Sequence, residues 1–191
     1  MREAQVKRTT KETDILLDIN LDGGKVEIET GIGFFDHMLT SMFVHAGFGV
    51  TLKVKGDLEV DCHHTVEDTG IVLGQAITKV LGDKKGITRF GSAYIPMDEA
   101  LSFCALDISG RPYLVFDAKF NNQFIGNFDT CMIEEFFRAL AMTANITLHI
   151  KNVYGADDHH KAESMFKSLA YSLKQAVKIS GDKILSSKGM L

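Results

Sequence analysis

The sequence predicts an α+β fold in which a βββαβα unit occurs twice in succession. Three observations support this prediction. Each half contains short segments of alternating or β-branched residues, followed by longer segments whose apolar residues recur at helical spacing. A polar segment, Gly82–Gly86, lies near the middle of the chain and is the best boundary between the halves. The same histidine-rich motif opens the last predicted helix of both halves, which indicates an internal duplication.

The first half comprises residues 1–86 and begins with three short strands. A helix that ends at Gly47, a strand and a second helix follow, and Asp22-Gly23-Gly24 supplies a turn. The predicted strands are Val6–Thr10, Ile15–Asn20, Val26–Thr30 and Val50–Lys55, and the predicted helices are Phe34–Ala46 and His63–Leu81.

The second half, residues 87–191, repeats that order within one compact domain. Ser109-Gly110-Arg111-Pro112 is turn material, and one apolar stripe at helical spacing marks the last helix. The predicted strands are Ser92–Pro96, Leu101–Ile108, Tyr113–Phe116 and Ile146–Ile150, and the predicted helices are Met132–Ala144 and His159–Ile179.

Composition excludes several classes of protein. The chain has 191 residues, is 45% hydrophobic and carries a net charge of −4, so it lacks the basic excess of a nucleic-acid-binding protein. It also contains no apolar segment long enough for a membrane span. The N-terminal segment MREAQVKRTTKETD has no apolar signal core, so we expect a cytoplasmic protein. Three scattered cysteines form no C-x-x-C pair, which argues against a disulfide framework or a cysteine zinc site.

The repeated motif is a histidine pair followed by a glutamate. It reads His63-His64-Thr65-Val66-Glu67 in the first half and His159-His160-Lys161-Ala162-Glu163 in the second. Residues four apart share one helix face, so the first histidine and the glutamate can bind one cation. The second histidine is rotated by about 100° and would reach a second cation. Each motif is therefore expected to bridge two metal sites.

Two further histidines complete a ligand set of eight. His37 lies early in the first predicted helix, and His149 lies near the end of a strand before the second histidine pair. Six histidines and two glutamates would give each of two metals four ligands, leaving open positions for substrate and water. Mixed imidazole and carboxylate ligands at octahedral geometry favour Mn²⁺ or Fe²⁺ over Ca²⁺. The seventh histidine, His45, lies beside a helix-ending glycine and is expected to be structural.

Five segments resemble the imidazoleglycerol-phosphate dehydratase family, and the resemblance runs in order from about Arg8 to Leu191. They are G-I-G-F-F-D-H-M-L, D-C-H-H-T-V-E-D-T-G-I-V-L-G, R-F-G-S-A-Y-I-P-M-D-E-A-L, D-I-S-G-R-P-Y and D-H-H-K-A-E-S-M-F-K. The resemblance implies helices packed between two four-stranded sheets. It also implies a shell of 24 chains with trimers as building blocks, and two Mn²⁺ per active site bound by ligands from neighbouring chains.

The resemblance further implies roles for individual residues. It groups His37, His63 and Glu67 with a neighbour's His160 around one metal, and His149, His159 and Glu163 with a neighbour's His64 around the other. It offers three residues for acid–base work and five for the substrate phosphate. The acid–base candidates are Glu12, Asp98 and Glu163, and the phosphate candidates are Arg89, Arg111, Lys167, Ser186 and Lys188.

The implied reaction is the dehydration of D-erythro-imidazole glycerol phosphate to imidazole acetol phosphate in histidine biosynthesis. The hydrogen to be removed lies alpha to no carbonyl, so enolate chemistry is unavailable. An imidazolate held between two cations could instead expel the hydroxyl, give a diazafulvene and acidify the neighbouring C–H bond. The metals would act as Lewis acids and as a template, and protein carboxylates would handle the protons.

Three other interpretations stay open at this point. A dinuclear metal-dependent hydrolase would also use paired His/Glu motifs, but it would hydrolyse its substrate and would need no phosphate-binding arginines. A metal-storage shell would bind variable, large amounts of metal. A purely structural interaction module would leave the duplicated ligand sets unexplained.

Overall fold

The computed structural model describes residues Arg2–Gly189. Met1, where the predicted first half begins, and Met190 and Leu191, where the predicted second half ends, lie outside the described residues. Ten strands and four helices occur in the described range. They are β1 Glu3–Thr9, β2 Thr13–Asn20, β3 Val26–Glu29, α1 Gly33–Ala46, β4 Gly49–Gly56, α2 His63–Leu81, β5 Phe90–Met97, β6 Ala100–Asp107, β7 Tyr113–Asp117, β8 Phe124–Ile125, β9 Phe128–Asp129, α3 Met132–Ala144, β10 Thr147–Tyr154 and α4 Asp158–Ala176.

Two four-stranded sheets share one topology. The first has the order β1-β2-β4-β3 and the second β5-β6-β10-β7. In each sheet the outer pair formed by the third and fourth strands of that half is parallel (β3 with β4, β7 with β10), and the other neighbours are antiparallel. The predicted α+β architecture with a repeated βββαβα order is therefore confirmed.

The four helices fill the space between the sheets. Helices α1 and α2 contact strands of the first sheet, and α3 and α4 contact strands of the second. The layers meet where α2 packs on α3 and α1 packs on α4. Strand residues that face the helices are buried at every second position, as Ile15, Leu17 and Ile19 of β2 show. Each helix pair thus joins the two halves of the chain.

Aromatic residues and glycines shape the interface between the halves. Phe136 of α3 stacks on Phe166 of α4 at 5.3 Å between ring centroids and meets Phe35 of α1 edge-on at 5.4 Å. Burying each ring stabilises the fold by roughly 1.5–3 kcal/mol. Glycines on α2 bring α3 close, because a Cβ at Gly74 would lie 2.0 Å from Oγ1 of Thr143.

Several predicted strand bounds shift by a few residues, and β10 continues to Tyr154 instead of ending at Ile150. The structure differs further from the predicted elements at two places. A short hairpin, β8 with β9, precedes α3, and strands of two residues are too short to show a periodic pattern. The last helix ends at Ala176 rather than at Ile179, because Ile179 forms a bridge with Ile87 and the backbone N–H of Ser180 donates to the carbonyl of Gly86 at 2.8 Å.

One buried hydrophobic core contains residues from both halves. The division of the chain into residues 1–86 and 87–191 therefore stays a prediction about the repeat. Between Arg2 and Gly189, no helix combines the length and the apolar character that a bilayer crossing requires.

Candidate metal centre and active site

Three predicted metal ligands from two helices meet in one chain. His37 lies in the second turn of α1, while His159 and Glu163 lie one turn apart at the start of α4. Oε2 of Glu163 is 3.5 Å from Nε2 of His37 and 3.3 Å from Nε2 of His159. One ligand atom from each of the three residues lies within 4.8 Å of the others. Two imidazoles and one carboxylate at this spacing fit a divalent transition metal.

The start of α4 is fixed by a side-chain cap. The carboxylate of Asp157 accepts hydrogen bonds from the backbone N–H groups of His159 at 2.7 Å and His160 at 3.1 Å. Two N–H groups of the first turn are thereby satisfied. The cap holds the histidine pair in the helix, so His159 and Glu163 face the same side as the i, i+4 spacing predicts.

Glu163 is shared between the ligand cluster and a lysine. Glu163 is 6% exposed, and its Oε1 accepts a charged hydrogen bond from Nζ of Lys167 at 2.7 Å. Burial acts to raise the pKa of the Glu163 carboxyl, but the Lys167 ammonium and the two histidines outweigh burial and lower the pKa. The carboxylate is therefore held in its ionised form, which a metal requires. Lys167, predicted to bind phosphate, lies beside this cluster.

The first half contains the corresponding pair of ligands. Nε2 of His63 is 3.6 Å from Oε2 of Glu67 on α2, and the carboxylate of Asp61 accepts a hydrogen bond from the backbone N–H of His63 at 2.7 Å. A cleft of about 330 Å³ adjoins His63 and includes Met132 at the start of α3. His63 is thus open to solvent next to a helix of the other half.

The repeat places a further carboxylate on α3. Helices α1 and α3 both end at a residue in the left-handed conformation, Gly47 and Asn145. Counting back ten positions from each cap gives His37 on α1 and Glu135 on α3. Helix α1, which carries His37, packs on α4, and helix α3, which carries Glu135, packs on α2. In the repeat, Glu135 therefore has the same position relative to the ligand pair of α2 as His37 has relative to the ligand pair of α4. Sequence reasoning missed Glu135 because it is a glutamate where the first half has a histidine, but the helix-end spacing was a usable signal.

The second histidine of each pair is oriented by a carboxylate from a loop. Nδ1 of His64 lies 3.0 Å from Oδ2 of Asp57, and Nδ1 of His160 lies 2.7 Å from Oε2 of Glu99. These hydrogen bonds raise the pKa values of both imidazoles. A carboxylate on one ring nitrogen leaves the other nitrogen available as a metal ligand. Sequence reasoning missed Asp57 and Glu99, whose roles depend on tertiary contacts.

Two of the predicted acid–base residues lie beside these histidines. Oε1 of Glu12 is 3.8 Å from Nε2 of His64, and Oδ2 of Asp98 is 3.8 Å from Nε2 of His160. Both carboxylates are exposed, and each lies in the turn between the first two strands of its half. Asp98 also has a positive φ of 47°, a strained conformation of the kind found at functional sites. The repeat therefore places a second carboxylate near Nε2 of each second histidine.

The within-chain grouping of ligands that the resemblance implied is wrong for His37 and His149. The structure brings His37 to His159 and Glu163, rather than to the pair on α2, because α1 packs on α4. His149 is exposed between the buried Leu148 and Ile150 of β10, so it lies on the outer face of the second sheet. It therefore does not join the ligands of α4, which lie on the other face.

Four of the five predicted phosphate-binding residues, Arg89, Arg111 and the two in the C-terminal segment, lie apart from the metal ligands. Arg89 donates through Nη1 to the carbonyl of Leu185 at 2.7 Å, which brings the C-terminal segment with Ser186 and Lys188 to its guanidinium. Arg111 is 3.7 Å from Asp107, the same carboxylate that Arg89 binds. Arg89 and residues 180–187, which include Ser186, line a cleft of about 630 Å³, whereas Lys167 lies with Glu163.

Comparison with known proteins gives one consistent result. A model of the imidazoleglycerol-phosphate dehydratase family matches residues 30–173. Curated relatives with that name include those of Acetivibrio thermocellus, 55% identical over 100% of this chain and 99% of the relative, and Methanosarcina barkeri, 55% identical over 100% of both chains.

Solved structures agree with the sequence matches. The crystal structure of imidazoleglycerol-phosphate dehydratase from Staphylococcus aureus N315 is 40% identical, with a TM-score of 0.86 over 93% of this chain and 99% of that one. The enzyme from Pyrococcus furiosus in complex with (S)-C348 is 38% identical, with a TM-score of 0.86 over 97% of this chain and 100% of that one. This chain belongs to the imidazoleglycerol-phosphate dehydratase family.

Proposed function

We propose that this chain dehydrates D-erythro-imidazole glycerol phosphate to imidazole acetol phosphate, the lyase reaction of histidine biosynthesis. The observation that carries the proposal is the cluster of His37, His159 and Glu163 in a chain that matches this family over its full length. The cluster supplies metal ligands, and the basic cleft near the C-terminus supplies donors for a phosphate. A small phosphorylated imidazole offers complementary groups to both.

We propose two metal centres per active site, each occupied by Mn²⁺, because the ligand motif occurs in both halves of the chain. His37, His159 and Glu163 would hold one ion. The corresponding set on α2 and α3 would hold the other, and it consists of His63, Glu67 and Glu135. Imidazole nitrogen and carboxylate oxygen are ligands that suit Mn²⁺, whereas thiolates favour softer metals. Bound there, the metals would supply Lewis-acid activation and a template for the substrate.

The second histidines would complete the sites of neighbouring chains. His64 and His160 have Nδ1 engaged by carboxylates and Nε2 outside the cluster of their own chain. Two ligands per chain are thus available for other copies, which supports a closed assembly of many chains. We propose the shell of 24 chains, with trimers as building blocks, that the resemblance implies. The cytoplasmic location stays a prediction.

Proton transfer is assigned to carboxylates of this chain. Glu12 and Asp98 have exposed side chains, and each stands 3.8 Å from an imidazole nitrogen. They can therefore reach a bound substrate and exchange protons with solvent afterwards. Glu163 stays a candidate, but its two oxygens are already engaged by Lys167 and by the two histidines.

The phosphate end of the substrate would bind to basic residues away from the metal ligands. Arg89 and Arg111 are assigned to this role because a guanidinium can bind two phosphate oxygens at once. Lys167 lies with the metal ligands, one helical turn beyond Glu163, so it could contact phosphate while it holds that carboxylate. Ser186 and Lys188 would contribute from the C-terminal segment.

A spectroscopic assay of ketone formation from imidazole glycerol phosphate, with added Mn²⁺, tests the proposal. We expect turnover that depends on the metal and stops when the chelated protein is assayed. A folded, metal-loaded preparation that forms no ketone would contradict the proposed function. Release of inorganic phosphate instead would favour a hydrolase, and uptake of many ions per chain without turnover would favour metal storage.

A further inference from the structure

Asp107, the last residue of β6, lies close to the guanidinium groups of two arginines. Its carboxylate accepts hydrogen bonds from Nε of Arg89 at 2.7 Å and from Nη2 of the same guanidinium at 3.0 Å. Nη2 of Arg111 lies 3.7 Å from its Oδ2. One carboxylate therefore faces two guanidinium groups.

The guanidinium of Arg89 is held at all three of its nitrogens. Its third hydrogen bond, from Nη1, goes to the carbonyl of Leu185 at 2.7 Å, and its Cζ lies 4.7 Å from the ring centroid of Phe90. The backbone of Arg89 has a positive φ of 74°, and its N–H donates to the carbonyl of Ala176 at 2.8 Å. A strained backbone that is retained in this way indicates a side chain whose direction matters.

Two donors of this guanidinium remain for a ligand. A guanidinium has five N–H groups, and three are used by Asp107 and Leu185. Two guanidinium groups around one carboxylate also leave a net positive charge, which suits a phosphate anion. Asp182 and Lys183 in the same cleft cancel each other.

We propose that Asp107 is a positioning residue that fixes the Arg89 guanidinium, and through it the C-terminal segment, in the orientation that binds the substrate phosphate. The inference rests on the proposed function, because it takes Arg89 as a phosphate-binding residue. Asp107 does not contact the substrate. It acts by accepting hydrogen bonds from Nε and Nη2 of the Arg89 guanidinium, so that the remaining N–H groups are directed away from the carboxylate.

A positioning role and a purely electrostatic role for Asp107 predict opposite effects of Asp107→Asn on phosphate binding. If Asp107 acted only through its charge, its neutralisation would strengthen phosphate binding, because a repelling anion is removed. If it positions Arg89, the variant loses one charged, two-point contact, and phosphate binding weakens. The two mechanisms are therefore separable by sign.

The experiment measures competitive inhibition by inorganic phosphate, together with KM and kcat, in the Mn²⁺-loaded protein. For Asp107→Asn we expect KM and the phosphate inhibition constant to rise about tenfold or more, with kcat and manganese content near those of the original chain. Asp107→Glu should recover part of the loss. Asp117→Asn is the matched control, because Asp117 ends the next strand and pairs with the exposed Lys151 at 2.8 Å.

A second variant keeps the test decisive if Asp107→Asn folds poorly. Arg89→Lys retains the positive charge but loses the planar guanidinium that donates through two nitrogens, so it should raise KM similarly. In that background, Asp107→Asn should add little, because the contact between the two residues is already broken. Phosphate affinity that is unchanged or tighter in folded Asp107→Asn would overturn the inference. Direct calorimetry with inorganic phosphate separates this outcome from a failure of the proposed reaction, since phosphate binding needs no turnover.

Discussion

Nε2 of His37 on α1 lies 3.5 Å from Oε2 of Glu163 on α4, so two helices from different halves of the chain meet at one carboxylate. His159 approaches the same oxygen at 3.3 Å. A metal bound there would connect the halves through side chains in addition to the shared core. Metal binding and the stability of the fold should therefore be coupled.

Replacing the shared carboxylate should remove one metal. Glu163→Gln keeps the shape of the side chain but loses the negative charge that a divalent ion needs. After reloading with Mn²⁺, we expect the metal content to fall from about two to about one ion per chain, and turnover to be lost. Elemental analysis measures the content, and Glu3→Gln on β1 serves as the control. A variant that retains two ions would show that Glu163 is not a ligand.

Two neighbouring glutamates on α3 test the second centre. Glu134 and Glu135 are both partly exposed and both approach Arg138, but only Glu135 corresponds to His37 in the repeat. We expect Glu135→Gln to lower the manganese content by about one ion per chain, whereas Glu134→Gln should leave it unchanged. Equal metal contents in the two variants would contradict the ligand set proposed for α2 and α3.

The part of the site that the sequence could predict is the part that depends on local geometry. The spacing of His159 and Glu163 within one helix is enough to place them on one face, and the structure confirms that they meet. The fold could be predicted from the sequence for the same reason, because apolar residues alternate in the strands and recur at helical spacing in the helices of both halves. Residues that act within one turn of a helix leave their signal in the sequence.

The rest of the site depends on which helices pack together. No spacing within α1 indicates that His37 meets α4, since only the pairing of helices in the folded core decides it. Asp57 and Glu99 orient the second histidines from distant turns, and a carboxylate in a turn looks like an ordinary solvated residue. The exposure of His149, in contrast, could have been predicted, because the apolar residues Leu148 and Ile150 alternate with His149 along β10 and so face the other side of the sheet.

A pair of glycines tests the close approach of α2 and α3. Gly74→Ala would place a methyl group 2.0 Å from Oγ1 of Thr143 and 2.7 Å from the backbone nitrogen of Ala144. We expect the free energy of unfolding to fall by about 1–3 kcal/mol, because the helices must separate. Gly33→Ala, at the start of α1, meets nothing within 4 Å and should change stability by less than about 0.5 kcal/mol. Denaturant unfolding measures both, and similar values would contradict the packing.

Deleting Ser186–Leu191 tests the C-terminal segment as part of the phosphate site. The deletion removes the hydroxyl of Ser186 and the ammonium of Lys188 but leaves Leu185, whose carbonyl accepts from Arg89. We therefore expect KM to rise strongly and phosphate inhibition to weaken, while manganese content stays near normal. Kinetics and elemental analysis on the same preparation separate the two effects. Unchanged KM and phosphate affinity would show that the segment is not part of the site.

Removing the metal should reduce the size of the assembly. If His64 and His160 complete the sites of neighbouring chains, bound metal links chains and stabilises the particle by mass action. Chelation should then shift the protein toward smaller species, including trimers, and added Mn²⁺ should restore the large particle. Light scattering after size-exclusion chromatography measures both steps. The His64→Asn variant should form only small species even with metal present. The His45→Asn control should assemble normally, because the ring of His45 lies 5.7 Å from that of Tyr171, outside the metal cluster. A chelated protein that keeps its full size would mean that the contacts between chains do not depend on metal.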